Sequence, residues 1–309
     1  MTSLSFLRRV FVSPTEPRLR TGWRLAVHGF LILALTLPAS MAAAVVLLIL
    51  QVVAPGIESL SLWLGALASA AVFIVATYAA RRLLDRRSFV SLGTSIDRHT
   101  LPDLIVGFLI PFAMLGLVFA LAWAFGWIQW QGWAWDEQPA GSVVAGLATG
   151  LALFVLVGIS EETLSRGYHL QNLAESLGLP AGWILSSLIF ASMHALNPGF
   201  GLPAGLGLIF AGLFLATGWL RTRRLWLSIG LHIGWNFFEG SIFGFPVSGL
   251  QIFQLMNHRL SGPAWATGGP FGPEAGAILL PGLLLGTVLV WVYTRGRTET
   301  PGTNLPLSG

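Results

Sequence analysis

The chain has 309 residues, of which 54% are hydrophobic and only 10% are charged, whereas a soluble domain usually carries about 25% charged residues. This composition excludes an ordinary soluble protein and predicts a polytopic membrane protein. All 17 basic residues are arginine and there is no cysteine, which excludes disulfides, a cysteine nucleophile, a thiolate zinc site and a serine–lysine catalytic pair.

Apolar segments along the chain predict the fold class, because a membrane-spanning helix needs about 20 mostly apolar residues. We predict an all-α, polytopic membrane helix bundle of about eight transmembrane helices. We find no internal repeat and no second domain. The predicted spans are 24–53, 60–80, 103–126, 142–166, 180–196, 203–220, 225–243 and 274–294.

Arginine placement predicts the orientation. With eight spans, every arginine except Arg259 falls on one side of the membrane. Cytoplasmic loops are enriched in Arg and Lys, so we expect both termini in the cytoplasm. Because the arginines cluster beside spans, we expect the lipid bilayer and no nucleic acid as a partner. We divide the chain into a cytoplasmic tail (1–23), a single transmembrane domain (24–297) and a second cytoplasmic tail (298–309).

The opposite side carries an aromatic loop around residues 127–137, which is typical of a membrane interface. The longer loop at 244–273 is rich in Gly and Pro, and we expect it to lack regular structure. Pairs of small residues four positions apart allow helices to approach closely. They occur at Gly146/Gly150, Gly230/Gly234 and Gly282/Gly286.

Ionisable residues inside the fourth span are the first candidates for chemistry, because such groups are costly in hydrocarbon and usually mark function. Glu162 and Arg166 are four residues apart on a helix and are expected to pair. Glu161 points about 100° away from Glu162 and is left free for chemistry. The alternative is a wetted cluster of both carboxylates at the membrane surface.

Two further spans carry histidines. His232 and Asn236 are four residues apart and face the same neighbour, and Phe190 shares a helix face with His194. The alternative for His232 and Asn236 is a polar patch that holds two helices together. We expect His28 to be a packed core residue. Glu239 continues the His232 stripe as a structural or cavity-lining residue.

A depth argument brings these residues together. Gly178 begins a tight turn, with Glu161 17 residues before it and His194 16 residues after it. In a helical hairpin both would lie about 25 Å from the turn. His232 is eight residues beyond Arg224, or about 12 Å deep. Convergence near the cytoplasmic surface is expected unless Gly167 breaks the helix.

Other hydrolytic motifs are absent from the sequence. There is no His-Glu-x-x-His helix, no Gly-x-Ser-x-Gly elbow and no pair of aspartates within the spans. The remaining chemistry is water activated by a carboxylate, with or without a metal.

Three motifs resemble those of a known family: Glu161-Glu162-x-x-x-Arg166, Phe190-x-x-x-His194 and His232-x-x-x-Asn236. They are similar to the signatures of the CAAX-protease and bacteriocin-processing family of intramembrane endopeptidases, which includes the Ras-converting prenyl endopeptidase. The resemblance covers about residues 140–245, which we expect to form the catalytic core.

The resemblance implies peptide-bond hydrolysis within the membrane. It implies that Glu161 and His194 are catalytic, that His232 and Asn236 complete the site, and that Glu162, Arg166 and Phe190 support it. A metal-free glutamate mechanism and a Zn²⁺ site formed by Glu161, His194 and His232 are both open.

The expected substrate is a membrane-associated peptide or protein. A prenylated tail is the best-known substrate of the family, but arginine-only usage is typical of a GC-rich bacterium, where such tails are not expected. We therefore expect a multi-pass protein of the cytoplasmic (inner) membrane. The alternatives are a non-enzymatic scaffold or immunity-type protein that keeps a structural polar core, and a transporter.

Overall fold

A computed structural model describes residues 8–14, 16–53 and 60–297, and this part of the chain is mostly helical. Residues 1–7 and 15 of the expected N-terminal tail, and the whole expected C-terminal tail, lie outside the described residues. The α-helices are α1 (Thr21–Val53), α2 (Leu60–Ala79), α3 (Thr100–Ala124), α4 (Ala140–Glu162), α5 (Leu170–Leu177), α6 (Leu179–Met193), α7 (Leu202–Thr222), α8 (Trp226–Asn236) and α9 (Leu279–Tyr293).

Three of these helices continue directly as π-helix, and several connections contain short helical turns. The π-helical segments are Ala80–Leu84 after α2, Thr163–His169 after α4 and Phe237–Ile242 after α8. The short turns are Phe89–Leu92, Ala134–Glu137, Ala264–Thr267, Gly269–Phe271 and Pro273–Ala275.

The expectation of a purely helical fold is wrong in one respect. Strand β1 (Ile128–Trp133) pairs antiparallel with strand β2 (Met256–Leu260), from Ile128 opposite Leu260 to Trp133 opposite Met256. The segment 244–273, which we expected to lack regular structure, therefore contains β2 and two short helical turns. The partner of β2 is more than 100 residues away in sequence and left no local signal.

Within the residues that the structure describes, five helical segments are long and apolar enough to cross a membrane: Thr21–Val52, Ser61–Leu84, Thr100–Ala124, Ala140–Leu177 and Leu202–Thr222. Two shorter apolar helices, α6 and α9, coincide with the predicted spans 180–196 and 274–294. The remaining predicted span, 225–243, corresponds to α8 and its π-helical continuation. The count of eight spans and the position of the termini stay predictions.

Helix α8 lies at the centre of the bundle. Its buried residues Leu227, Leu231 and Trp235 belong to a hydrophobic cluster that also contains side chains from α3, α6, α7 and α9. By contrast, α1 lies at the periphery and packs mainly against α2, and its most apolar stretch has no buried residue. Two of the residues that sequence analysis marked as chemical, His232 and Asn236, therefore lie on an enclosed helix.

Helices α3 and α8 approach each other at glycines, as the small-residue pattern predicted. A Cβ atom at Gly234 would lie 2.2 Å from the carbonyl oxygen of Phe108, and one at Gly230 would lie 2.5 Å from that of Leu104. From the other side, a Cβ atom at Gly107 would lie 2.6 Å from the carbonyl oxygen of Leu227. Backbone cannot yield as a flexible side chain can, so this contact depends on residues without side chains.

We expect Gly234→Ala to destabilise the protein, because its methyl group would push α8 away from α3. Overpacking of this kind typically costs about 1–3 kcal/mol. The matched control is Gly29→Ala in α1, where no atom lies within 4 Å of the added Cβ and only helix propensity changes. Unfolding of the purified protein by SDS in mixed micelles measures both variants. Equal stability of the two would contradict the close contact.

Candidate active site

A cavity of about 440 Å³ lies between α2, α4, α6, α7 and α8. Five of the seven predicted site residues line it: Glu161, Phe190, His194, His232 and Asn236. The other two, Glu162 and Arg166, lie behind the cavity wall and are almost completely buried. The three motifs, far apart in sequence, therefore face or support one enclosed space.

The chain carries Glu161 and Glu162 on one continuous helical rod. Gly167 does not break the helix, since α4 passes into the π-helical segment Thr163–His169 and then into α5. Gly178, with φ of 86°, then makes the turn into α6. The helical hairpin assumed in the depth argument is thus present, and Glu161 and His194 reach the same cavity from its two arms. π-Helical turns within helices are rare and often occur at functional sites.

Glu162 and Arg166 form the predicted ion pair, with Arg166 Nη1 2.7 Å from Glu162 Oε1. Arg166 also donates from Nη2 to the carbonyl oxygen of Gly212 in α7, at 2.8 Å. Its guanidinium lies over the Phe190 ring of α6, 4.5 Å from the ring centroid. One arginine side chain therefore connects α4 and its continuation to both α6 and α7.

Glu162 has a second partner that the sequence did not predict. His232 Nδ1 lies 2.7 Å from Glu162 Oε1. A carboxylate oxygen can only accept a hydrogen bond, so Nδ1 carries the proton in this contact. The Nε2 atom then faces Glu161, whose Oε2 is 3.9 Å away. Glu162 thus orients the imidazole so that its other nitrogen points towards Glu161.

His194 ends α6 and is oriented by its own helix. Its Nδ1 lies 3.0 Å from the carbonyl oxygen of Phe190, so Nδ1 donates and Nε2 is left available to the cavity. The Phe190 ring packs beside the His194 ring, with centroids 4.9 Å apart, and beside the His232 ring at 5.9 Å. Phe190 therefore separates the two imidazoles with an apolar wall.

Glu161 differs from Glu162 in the exposure of its side chain. Its side chain keeps 17% of its accessible surface, whereas that of Glu162 keeps none. Within the described residues Glu161 Oε2 has no hydrogen-bond partner. Asn236 lines the same cavity and is buried. The cavity is thus lined by the carboxylate of Glu161, two imidazole rings and a side-chain amide.

The three residues considered as zinc ligands do not form a ready metal site. Across residues 8–14, 16–53 and 60–297, no group of three or more His, Asp or Glu side chains is arranged to hold a metal ion. A bound Zn²⁺ has ligand distances of about 2.0–2.2 Å to nitrogen and oxygen, and its carboxylate and histidine donors must converge on one point. We derive no step that uses a metal.

Sequence analysis missed several cavity residues. Glu274 lines the cavity from the turn that precedes α9, and Ser248 lines it from the loop between α8 and β2. Ser248 comes from the segment 244–273, which we treated as irregular. The available signal for Glu274 was an acid at the first residue of the predicted span 274–294. Ser61 and Ser69 of α2 also line the cavity, although we assigned only topology to the first 130 residues.

Comparison with known proteins adds one match. Residues 143–238 match the model of a family described as "Type II CAAX prenyl endopeptidase Rce1-like". The resemblance seen in the three motifs is thereby confirmed, and the matched segment contains all seven predicted site residues. No curated protein and no solved structure matches the chain. With the apolar helices, the match indicates a multi-pass membrane protein of a CAAX-type protease family.

Arg166→Leu should strongly destabilise the protein. The substitution leaves the buried carboxylate of Glu162 without its cation, and breaking a buried pair in this way typically costs about 3–5 kcal/mol. The control is Arg82→Leu, because Arg82 is exposed. SDS-induced unfolding compares the two variants with the wild type. If both variants matched the wild type in stability, the Glu162–Arg166 contact would not be the support that we describe.

Proposed function

We propose that this protein is an intramembrane endopeptidase that hydrolyses a peptide bond of a membrane-associated peptide or protein. The observation that carries the proposal is the contrast between two adjacent glutamates. Glu162 is fully buried and its Oε1 contacts both Arg166 and His232, while Glu161 lines the cavity, keeps 17% of its side-chain accessible surface and lies 3.9 Å from His232 Nε2. A structural polar core has no need for the second carboxylate to remain free.

In the proposed mechanism, Glu161 acts as the general base. A water molecule in the cavity donates one proton to Glu161 as its oxygen attacks the carbonyl carbon of the scissile peptide. His194 positions this water, because its Nε2 accepts a hydrogen bond from the second O–H group of the water. When the tetrahedral intermediate collapses, the C–N bond breaks and the protonated Glu161 returns the proton to the leaving amine.

Asn236 and His232 stabilise the negative charge that develops on the carbonyl oxygen. Asn236 donates from its side-chain amide. When His232 carries protons on both nitrogens, Nδ1 donates to Glu162 and Nε2 donates to the oxyanion. Such donors act most strongly where bulk water is excluded, and loss of one donor typically lowers the rate by about 10²–10³-fold.

The family name, the arginine distribution and the cavity support the rest of the proposal. A family described as prenyl endopeptidases acts on substrates held at a membrane, and a largely apolar cavity suits a membrane-associated substrate. Arginine placement favours eight spans in the inner membrane, with both termini and the site's opening on the cytoplasmic side. The competing proposal, a non-enzymatic scaffold, is favoured by the buried contacts that Glu162 makes with Arg166 and His232.

We predict that Glu161→Gln abolishes cleavage and leaves the fold intact, because glutamine keeps the size of the side chain but cannot accept the water's proton. Comparative membrane proteomics of strains that carry the variant or the wild type should reveal uncleaved precursors in the variant alone. Glu137→Gln, which changes an exposed acid, is the matched control. An unchanged membrane proteome, with a folded and equally abundant variant, would instead support the scaffold.

We predict that Asn236→Leu lowers kcat by about 10²–10³-fold and changes KM little, because an oxyanion donor acts on the transition state and not on the bound substrate. The assay uses precursors identified by proteomics, with a farnesylated CAAX peptide as a first probe taken from the family name. A higher KM at unchanged kcat would assign Asn236 to substrate binding and reject its role in oxyanion stabilisation.

A further inference from the structure

Two buried glutamates lie beyond the C-terminal end of α8, and no step above uses them. Glu239 belongs to the π-helical segment that continues α8 and is 0% exposed. Glu274 lies in the short turn Pro273–Ala275, is 4% exposed and lines the active-site cavity. They come from different segments of the chain and meet only in the folded protein.

The indole of Trp235 joins the two carboxyl groups. Trp235 Nε1 lies 2.8 Å from Glu239 Oε2 and 3.1 Å from Glu274 Oε1, so one N–H is shared between both acids. Trp235 is the neighbour of Asn236 and lies three residues after His232 on the same helix. The second oxygen of Glu274 accepts two hydrogen bonds from Ser248, from the backbone nitrogen at 2.7 Å and from Oγ at 2.6 Å.

No cation balances this pair. In the part of the chain that the structure describes, neither glutamate forms an ion pair with an arginine. His194, which follows α6, and His232 of α8 line the same cavity as Glu274. The helices α7 and α9, which pack against the Glu274 turn, carry their only ionisable side chains, Arg221 and Tyr293, near their opposite ends.

The two acids are therefore costly if both are ionised. Adjacent like charges in a poorly solvated site oppose each other's ionisation, and each pays a desolvation cost. Glu239 Oε1 is buried and has no hydrogen-bond partner within the described residues. One proton bound by the pair removes the repulsion, and two carboxyl groups that interact in this way titrate as a unit.

Glycines hold the Glu274 turn and the Ser248 loop against the bundle. A Cβ atom at Gly207 of α7 would lie only 1.5 Å from the carbonyl oxygen of Glu274, so the turn rests directly on the helix backbone. At Gly249, where φ is +81°, a Cβ atom would lie 2.0 Å from the carbonyl oxygen of Pro198. Glu274 thus links a closely seated loop to the helix that carries His232 and Asn236.

We propose that Glu239 and Glu274 share one proton and act together as positioning residues, holding α8 through Trp235 and the cavity-lining loop through Ser248. This role rests on the proposed function, since what it positions is the active-site helix. The proton is bound at this pair only when the chain is folded. Its test therefore measures folding, and its outcome does not depend on whether a cleaved substrate is found.

A proton that only the folded chain binds makes the folding stability depend on pH. Above about pH 5 free glutamates are ionised, so the unfolded chain holds no proton at this pair while the folded chain holds one. Stability then falls as pH rises, and one bound proton corresponds to a tenfold increase in the unfolding equilibrium constant per pH unit. In Glu239→Gln/Glu274→Gln this contribution disappears, while the amides keep hydrogen-bonding capacity.

The experiment is SDS-induced unfolding of the full-length wild type and the double variant in mixed micelles between pH 6 and 8. We expect the wild-type unfolding constant to rise with pH more steeply than that of the variant, by about tenfold per pH unit. All other titrating groups are common to both proteins and cancel in the comparison. Glu137→Gln, at an exposed acid, should keep the wild-type dependence.

Infrared spectroscopy provides the second measurement and guards against a double variant that does not fold. At neutral pH the wild type should show the C=O stretch of a protonated carboxyl group, and Glu239→Gln should lose it because the amide of the new side chain donates to Glu274 in place of the proton. Equal pH dependence of unfolding in wild type and double variant would overturn the proposal. So would the absence of a protonated carboxyl band in the wild type.

Discussion

The structure depends on a charged contact buried among apolar helices, the pair formed by Glu162 and Arg166. Either side chain alone would be expensive at this position, since charges in a membrane domain are tolerated when they pair or face an interior. Arg166 also binds the Gly212 carbonyl group and stacks on Phe190, while Glu162 also binds His232. One pair therefore ties α4 to α6, α7 and α8.

This contact explains why two adjacent acids behave differently. Glu162 neutralises Arg166 and orients His232. Because adjacent residues on a helix point about 100° apart, Glu161 points into the cavity instead. The close packing of α3 on α8 at Gly230 and Gly234 then fixes the depth of His232 and Asn236 relative to Glu161. The proposed chemistry thus follows from packing: rigid helices hold a free carboxylate, two imidazoles and an amide around one space.

Much of this arrangement could be predicted from local sequence rules. The four-residue spacing of Glu162 and Arg166 predicted their pairing, and counting residues from the Gly178 turn predicted that Glu161 and His194 reach a common level. The spacing of Gly230 and Gly234 predicted close packing. Each of these rules needs only the geometry of a helix and the cost of burying polar groups.

The rest depends on contacts between distant segments. The pairing of β1 with β2, the bond from Glu162 to His232, and the meeting of Glu239 with Glu274 all join residues that no local pattern connects. We expected that Gly167 could break the helix, but the chain passes it in the π-helical segment Thr163–His169, whose residues are all buried. Tertiary packing overrode local propensity there.

The central claim is spatial: a peptide bond is attacked in the cavity where Glu161, His232 and Asn236 meet. An experimental structure of Glu161→Gln bound to one of its accumulated precursors tests this most directly. The account predicts that the scissile carbonyl oxygen lies within hydrogen-bond distance of the Asn236 amide, with its carbon facing residue 161. A precursor bound outside this cavity, or with its cleavage site remote from residue 161, would contradict it.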